Sequence, residues 1–251
     1  MELAVAEAKA LPEPRPQRVT AVLAAVFERI DGQAATPELL RSLKCGSREW
    51  LLQQAATLVQ PETIWFESRC IHCDEPYDVA VDLEAAARHE PAHDTPWVEV
   101  ETSLGPRTFD VPTGCHEEAL AMRSDVADTR RALVALCGRV DNAEQESSLF
   151  NELDLNRIDA AIEKASPDVA DESVTVCPAC GAETRARIDP LTFAFPGDES
   201  VLREVHLLAT AYGWSQQTIL DMPSSRRSRY AAMILAGQRR TTAVAGVRAR
   251  R

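Results

Sequence analysis

The sequence predicts an α+β fold: two short strand–knuckle–strand hairpins, far apart in the chain, brought together around a folded α/β insertion and flanked by helical lobes. Three observations predict it. "TIWFES" precedes a Cys-x-x-Cys pair and "YDVAVDL" follows it, with Val79, Val81 and Leu83 alternating with polar or small residues. "SVTV" and "ETRARI" frame a second pair in the same way, with Pro178 and Gly181 around the turn. Helical apolar spacing dominates both ends of the chain.

Residues 1–17 are rich in Pro and Ala without periodicity and read as a flexible arm. An N-terminal helical region follows over 18–60. "RVTAVLAAVFERI" places Val19, Val22, Leu23, Val26, Phe27 and Ile30 on one helical face. "TPELLRSL" opens a second helix with Thr36 as N-cap and Pro37 in the first turn, and "SREWLLQQAATLV" starts a third at Ser47.

The span 61–190 holds the two hairpins and, over about 84–170, the insertion. Cys70 and Cys73 form the first pair, Cys177 and Cys180 the second. Two such knuckles facing each other supply the four-sulfur tetrahedron that Zn²⁺ accepts, so the pattern reads as a split zinc ribbon with a structural ion. The 103 residues between Cys73 and Cys177 far exceed the usual spacing. Loop-closure entropy rises only by about 0.6 kcal/mol per doubling, so a folded insertion is tolerated. Two independent pairs, a redox Cys-x-x-Cys or unliganded thiols are the alternatives. A thioredoxin-like motif belongs at the start of a helix in a βαβ pattern, which neither pair shows. Inside the insertion, "WVEVETSLGPRTFDVP" reads as two strands about a Gly-Pro turn and "GCHEEALAMRSDVADTRRALVALCGRV" as one long helix. "DNAEQESS" reads as a polar loop, and "LDLNRIDAAIEKAS" as a helix started by Asp154 or Asn156.

Other candidate groups favour plain roles. Cys137 falls on an apolar helical face, Cys45 precedes a glycine at a helix end, and His72 normally points away from a metal held by its neighbours. His89, His93 and His116 have no ligand spacing. Cys115 and His116 are adjacent, which sends their side chains in different directions and disfavours a catalytic dyad. No phosphate cradle, triad order or paired-carboxylate motif is present, so no small-molecule substrate is implied and the chain reads as non-enzymatic. No segment has the apolar length of a leader or membrane span, which makes a cytoplasmic location the default.

A C-terminal helical lobe is expected over 191–236. Val201, Leu202, Val205, Leu208, Ala209 and Tyr212 form a stripe broken by Gly213; "WSQQTILDMP" is capped by Ser215 and stopped by Pro223; Tyr230, Met233 and Ile234 face inward on the last helix. An Arg-rich tail, 237–251, ends the chain. From Ser224 onward there are eight Arg and no Lys or acid, a charge of +8; since the whole chain carries −12, the remainder carries −20. The acidic body repels nucleic acid, while the tail attracts it or an acidic protein face.

The block "EVHLLATAYGWSQQTILDMPSSRRSRYAAMI" resembles the C-terminal segment of zinc-ribbon-containing tail and baseplate proteins of contractile phages and phage-derived contractile injection systems. In that family His, Leu-Ala, Tyr, Trp-Ser, Ile-Leu, Pro and Arg-Arg-x-x-Tyr recur in this order. A weaker likeness runs back through "CPACG", "VPTG", the first knuckle and "GSREWLLQQAATLV", about residues 18 to 236. The chain departs from the pattern at "CIHC", where "CPxC" is usual, and at Cys115, where a polar residue is expected. The resemblance implies a structural or assembly component of a baseplate that binds baseplate, hub or other tail proteins. Tyr212, Trp214, Arg226, Arg227 and Tyr230 would then form the partner-binding patch, with the core of the lobe as the alternative place for Tyr212 and Trp214. The alternative is a DNA-binding regulator joining a zinc ribbon to a helix-turn-helix-like lobe, with Arg226, Arg227, Arg229, Arg239, Arg240, Arg248, Arg250 and Arg251 on phosphates.

Overall fold

In the computed structural model the described residues are 11–59, 63–83, 88–89, 95–123, 127–169, 171–195, 198–224 and 226–235. Residues 1–10 of the expected arm, His93 and the Arg-rich tail 237–251 lie outside them. The fold is α+β, with only two-stranded antiparallel sheets among the described residues. It comprises two compact units, one spanning Pro12–Leu191 and one built on the chain from Thr192.

The first unit opens with α1 (Arg15–Val26), which has proline in its first turn and buries Val19, Val22 and Leu23. The expected arm therefore ends earlier than residue 17, and Arg15 is anchored by Glu49 and Asp189 at 2.6 and 3.1 Å. The helix stops at Phe27. Phe27 and Ile30, expected on its apolar face, fall beyond it, because Asp31 and Gly32 take positive φ values of 47° and 77°. That pair closes the hairpin of β1 (Arg29–Ile30) and β2 (Gln33–Ala34), the Asp-Gly turn that suits strand twist. Thr36 caps α2 (Pro37–Ser42) through the Leu39 N–H, as expected. The next helix, α3 (Cys45–Val59), begins two residues before Ser47 and places Cys45 at a helix start.

The first hairpin is β3 (Ile64–Arg69) with β4 (Pro76–Val81). The chain then passes β5 (Arg88–His89) into the insertion: β6 (Trp97–Thr102), β7 (Gly105–Asp110), α4 (Gly114–Ala121), α5 (Thr129–Cys137), α6 (Ala143–Ser147) and α7 (Glu152–Ala165). It returns through β8 (Asp168–Val169) to the second hairpin, β9 (Glu172–Val176) with β10 (Glu183–Arg187), and α8 (Pro190–Phe193). β5 pairs with β8, Arg88 opposite Val169 and His89 opposite Asp168. This short ladder ties the insertion at its neck, so chain leaving the first hairpin and chain entering the second are neighbours.

The insertion has its own core of Val100, Phe109, Val134, Cys137, Phe150, Leu155 and Ile158. The single long helix expected after "VPTG" is instead two. Asp128 restarts the backbone as N-cap of α5, accepting from the Arg131 N–H at 3.1 Å; a short acidic side chain competes for backbone donors and favours a helix start over a helix interior. The expected polar loop contains α6. Asn151, and neither Asp154 nor Asn156, caps α7, while Asp154 returns the bond from the third helical position.

The second unit packs α9 (Asp198–Tyr212), α10 (Gln216–Leu220) and a last helical stretch, residues 226–235. Gly213 at φ +69° ends α9 and Ser215 caps α10 through Thr218 N–H, both as expected. Val205, Leu208 and Ile219 form its centre, with Val201, Ala209, Trp214, Leu220, Tyr230 and Ile234 against them.

Candidate metal centre

Each hairpin delivers two cysteines through the same backbone construction. In the first knuckle the Cys70 N–H donates to Glu75 O (3.1 Å) and the Cys70 carbonyl accepts from Asp74 N (2.9 Å). In the second the Cys177 N–H donates to Ala182 O and the Cys177 carbonyl accepts from Gly181 N, both 2.9 Å. Asp74 and Gly181 occupy matching positions and both take positive φ, 60° and 72°. Asp is one of the few side-chain-bearing residues that visits this region readily, so a knuckle without the Gly of its counterpart keeps the same turn.

Alternation along the strands then sets the inner faces. Tyr77, Val79 and Val81 on β4 are buried, as are Thr184 and Ala186 on β10. The Tyr77 hydroxyl reaches Thr184 Oγ1 at 3.5 Å, a link from one hairpin to the other that sequence reasoning did not single out. The inward positions of "YDVAV" and "ETRAR" carried the signal.

With the hairpins joined, the four sulfurs converge. Cys70 Sγ lies 3.7 Å from Cys180 Sγ, and Cys73 Sγ lies 3.8 Å from Cys177 Sγ. All four lie within 4.8 Å of one another. A tetrahedron with arms of about 2.3 Å has edges of about 3.8 Å, so the set fits one ion of the size and softness that thiolates hold. Cys70 and Cys177 are buried. The His72 N–H points at Cys70 Sγ (3.4 Å) and, with the Cys73 N–H, holds that thiol down to about 6 against the cost of burial. At Cys73 the Glu75 N–H acts the same way, but desolvation and the sulfurs of Cys180, Cys70 and Cys177 prevail and push it up to about 12. Crowded thiols that cannot all ionise alone are relieved by a cation among them.

His72 stays outside the donor set: its Nε2 is 3.1 Å from Glu183 O, across on the second hairpin. The remaining cysteines stand apart from the cluster. Cys137 is fully buried and pushed up to about 12 by that burial and then by Asp110. Burial, followed by Glu117, likewise raises Cys45. Cys115 is exposed, while His116 turns its Nδ1 to the Thr113 N–H (3.1 Å) in the cap of α4, so the two form no dyad.

In the C-terminal lobe the structure gathers Tyr212, Trp214 and Tyr230. Tyr212 and Trp214 stack with centroids 4.6 Å apart, and Tyr230 meets them edge-on at 5.8 and 5.2 Å. Trp214 and Tyr230 also pack on the lobe's apolar centre. Arg226 is exposed. Arg227 departs from the surface patch expected of it: it is 8% exposed and paired with Glu204 of α9, so its charge is engaged within the lobe. Among the described residues, no helix is long and apolar enough to cross a membrane. Neither a family model, a curated relative nor a solved structure matches the chain.

Proposed function

We propose that the chain is a non-enzymatic structural or assembly component of a contractile-tail or injection-system baseplate, acting in the cytoplasm, with a structural Zn²⁺ on Cys70, Cys73, Cys177 and Cys180. The observation that carries the structural role is the convergence of sulfurs 110 and 104 positions apart on tetrahedral edges of 3.7 and 3.8 Å. Four thiolates fill a zinc ion's coordination and leave no position for water or substrate, which is the arrangement of a structural site. The ion would clamp the two hairpins, and with them the neck of the insertion, in one register. Binding free energy at such a site is folding free energy.

The assignment to a baseplate is supported by the C-terminal block from Glu204 to Ile234, where the family pattern of His206, Tyr212, Trp214, Pro223, Arg226, Arg227 and Tyr230 is met in order. In the lobe three of these become the aromatic cluster and one the buried ion pair, so much of the pattern encodes the lobe's shape. The test is co-expression of the tagged full chain with sheath, tube, spike and baseplate proteins of a contractile tail, beside a salt-titrated duplex DNA assay. Recovery of a defined tail protein, with weak DNA binding at physiological salt, is expected. Tight, sequence-selective DNA binding with no tail protein recovered would instead favour the regulator reading.

A further inference from the structure

The last helical stretch sorts its residues by face. Arg227, Tyr230, Ala231 and Ile234, at i, i+3, i+4 and i+7, turn toward α9 and α10: Arg227 and Ala231 are buried, and Tyr230 and Ile234 pack on the lobe's centre. Arg226, Arg229 and Met233, at i, i+3 and i+7, face outward; Met233, expected to turn inward with Tyr230 and Ile234, is 65% exposed. At about 100° per residue Arg226 and Met233 flank Tyr230, whose ring meets that of Tyr212, itself 41% exposed. Arg226 and Met233 therefore border Tyr230 and its partner ring Tyr212, and Arg229 lies next to them on the outer face of the same stretch. Neither arginine makes an ion pair with a described residue.

We propose that this side of the lobe is a docking surface for an acidic, amphipathic protein segment, whose carboxylates meet Arg226 and Arg229 and whose apolar side chains cover Met233 and Tyr212. The composition is that of an interface centre, where aromatic residues, Met and Arg are enriched. The charge is complementary to an acidic partner, since from Ser224 onward the chain contains no acidic residue. A nucleic acid fits less well. Tyr212 and Trp214 are stacked on each other rather than open to a base, and Arg227 is held by Glu204. The inference rests on the reading of the chain as a protein-binding component, though not on which assembly it joins.

The test uses the full, metal-loaded chain and a fluorescein-labelled synthetic helix of about sixteen residues with Leu on one face and Glu on the other. Controls are the same helix with Lys for Glu, polyglutamate of equal length and a duplex of about twenty base pairs, all followed by anisotropy at about 0.15 M NaCl. The Leu/Glu helix is expected to bind in preference to every control. Arg226→Glu with Arg229→Glu, and separately Met233→Asp, should each weaken it by about tenfold or more, with circular dichroism and metal content unchanged. Removal of residues 237–251 should leave the preference intact. Equal binding of polyglutamate, tighter binding of DNA, or indifference to both sets of substitutions would overturn the proposal. Tail proteins recovered on co-expression alongside that result would displace this face while keeping the assembly reading.

Discussion

The Arg48 guanidinium fills the space that a side chain at residue 114 would need: a Cβ built on Gly114 lies 1.7 Å from Arg48 Nη1. Arg48 is fully buried, bonded to Pro16 O at 2.7 Å and Thr20 Oγ1 at 2.8 Å, and paired with Glu117 at 3.3 Å. One side chain thus joins α1, α3 and α4. Gly114→Ala should destabilise the chain by about 2 kcal/mol or more, the cost of overpacking around a charge that has nowhere to move. Arg48→Ala should cost about 3–5 kcal/mol by leaving Glu117 without its cation. Because the two residues compete for the same volume, the double variant should be less destabilised than the sum. Urea unfolding of the four proteins checks this, and strict additivity would contradict the packing described.

Asp154 joins the start of α7 to the β6–β7 turn. It accepts from the Ser103 N–H (2.8 Å), Ser103 Oγ (2.5 Å) and the Asn151 N–H (3.2 Å). The Ser103 hydroxyl, ahead of the backbone donors, holds its carboxyl below the usual range. Asp154→Ala should lower Tm by several degrees, and Asp154→Asn by less, since the amide keeps one acceptor. A Tm unchanged in Asp154→Ala would show that α7 docks on β6 through apolar contacts alone.

His116 sets a pH dependence. Its neutral Nδ1 accepts the Thr113 N–H, and burial depresses its pKa, with Asp110 opposing. The unfolded chain therefore binds this proton at higher pH than the folded chain does. The stability it contributes is complete above the unfolded value of about 6.5 and is lost as pH falls below that value. His116→Asn, which keeps an acceptor and cannot titrate, should flatten the urea midpoint between about pH 7 and pH 5.5. Parallel profiles for the two proteins would remove His116 from the account.

Arg227 and Glu204 should behave as a buried pair. Arg227→Ala leaves Glu204 without its partner inside the lobe and should cost about 3 kcal/mol, whereas Arg227→Met with Glu204→Leu should recover most of that loss. Arg226→Ala, by contrast, should change stability by less than about 0.5 kcal/mol, as an exposed position does. Chemical denaturation distinguishes the two arginines; equal losses at 226 and 227 would contradict the burial of only one.

These contrasts explain what could be read from the chain. The hairpins were legible because strand alternation and the Cys-x-x-Cys pairs are local patterns, and the caps Thr36 and Ser215 because a hydroxyl before a helical run acts on backbone two or three residues away. The joining of the hairpins was legible only through the chemistry of four sulfurs. Arg48 was hidden, since its burial is set by Gly114 and Glu117, more than sixty positions distant. Arg226 and Arg227 are identical as letters, and only the spacing of 227 with 230, 231 and 234 marked which one turns inward. Asp128 and the Asp31-Gly32 turn carried clear local signals that the longer apolar periodicities around them obscured.

One ion is proposed to close the four-sulfur set. Elemental analysis with native mass spectrometry on protein expressed in metal-replete medium should find one Zn²⁺ per chain, and Cys70→Ser or Cys177→Ser should each lose both the ion and a cooperative unfolding transition. Less than about a tenth of an equivalent in the intact chain, with cooperative unfolding retained, would contradict it.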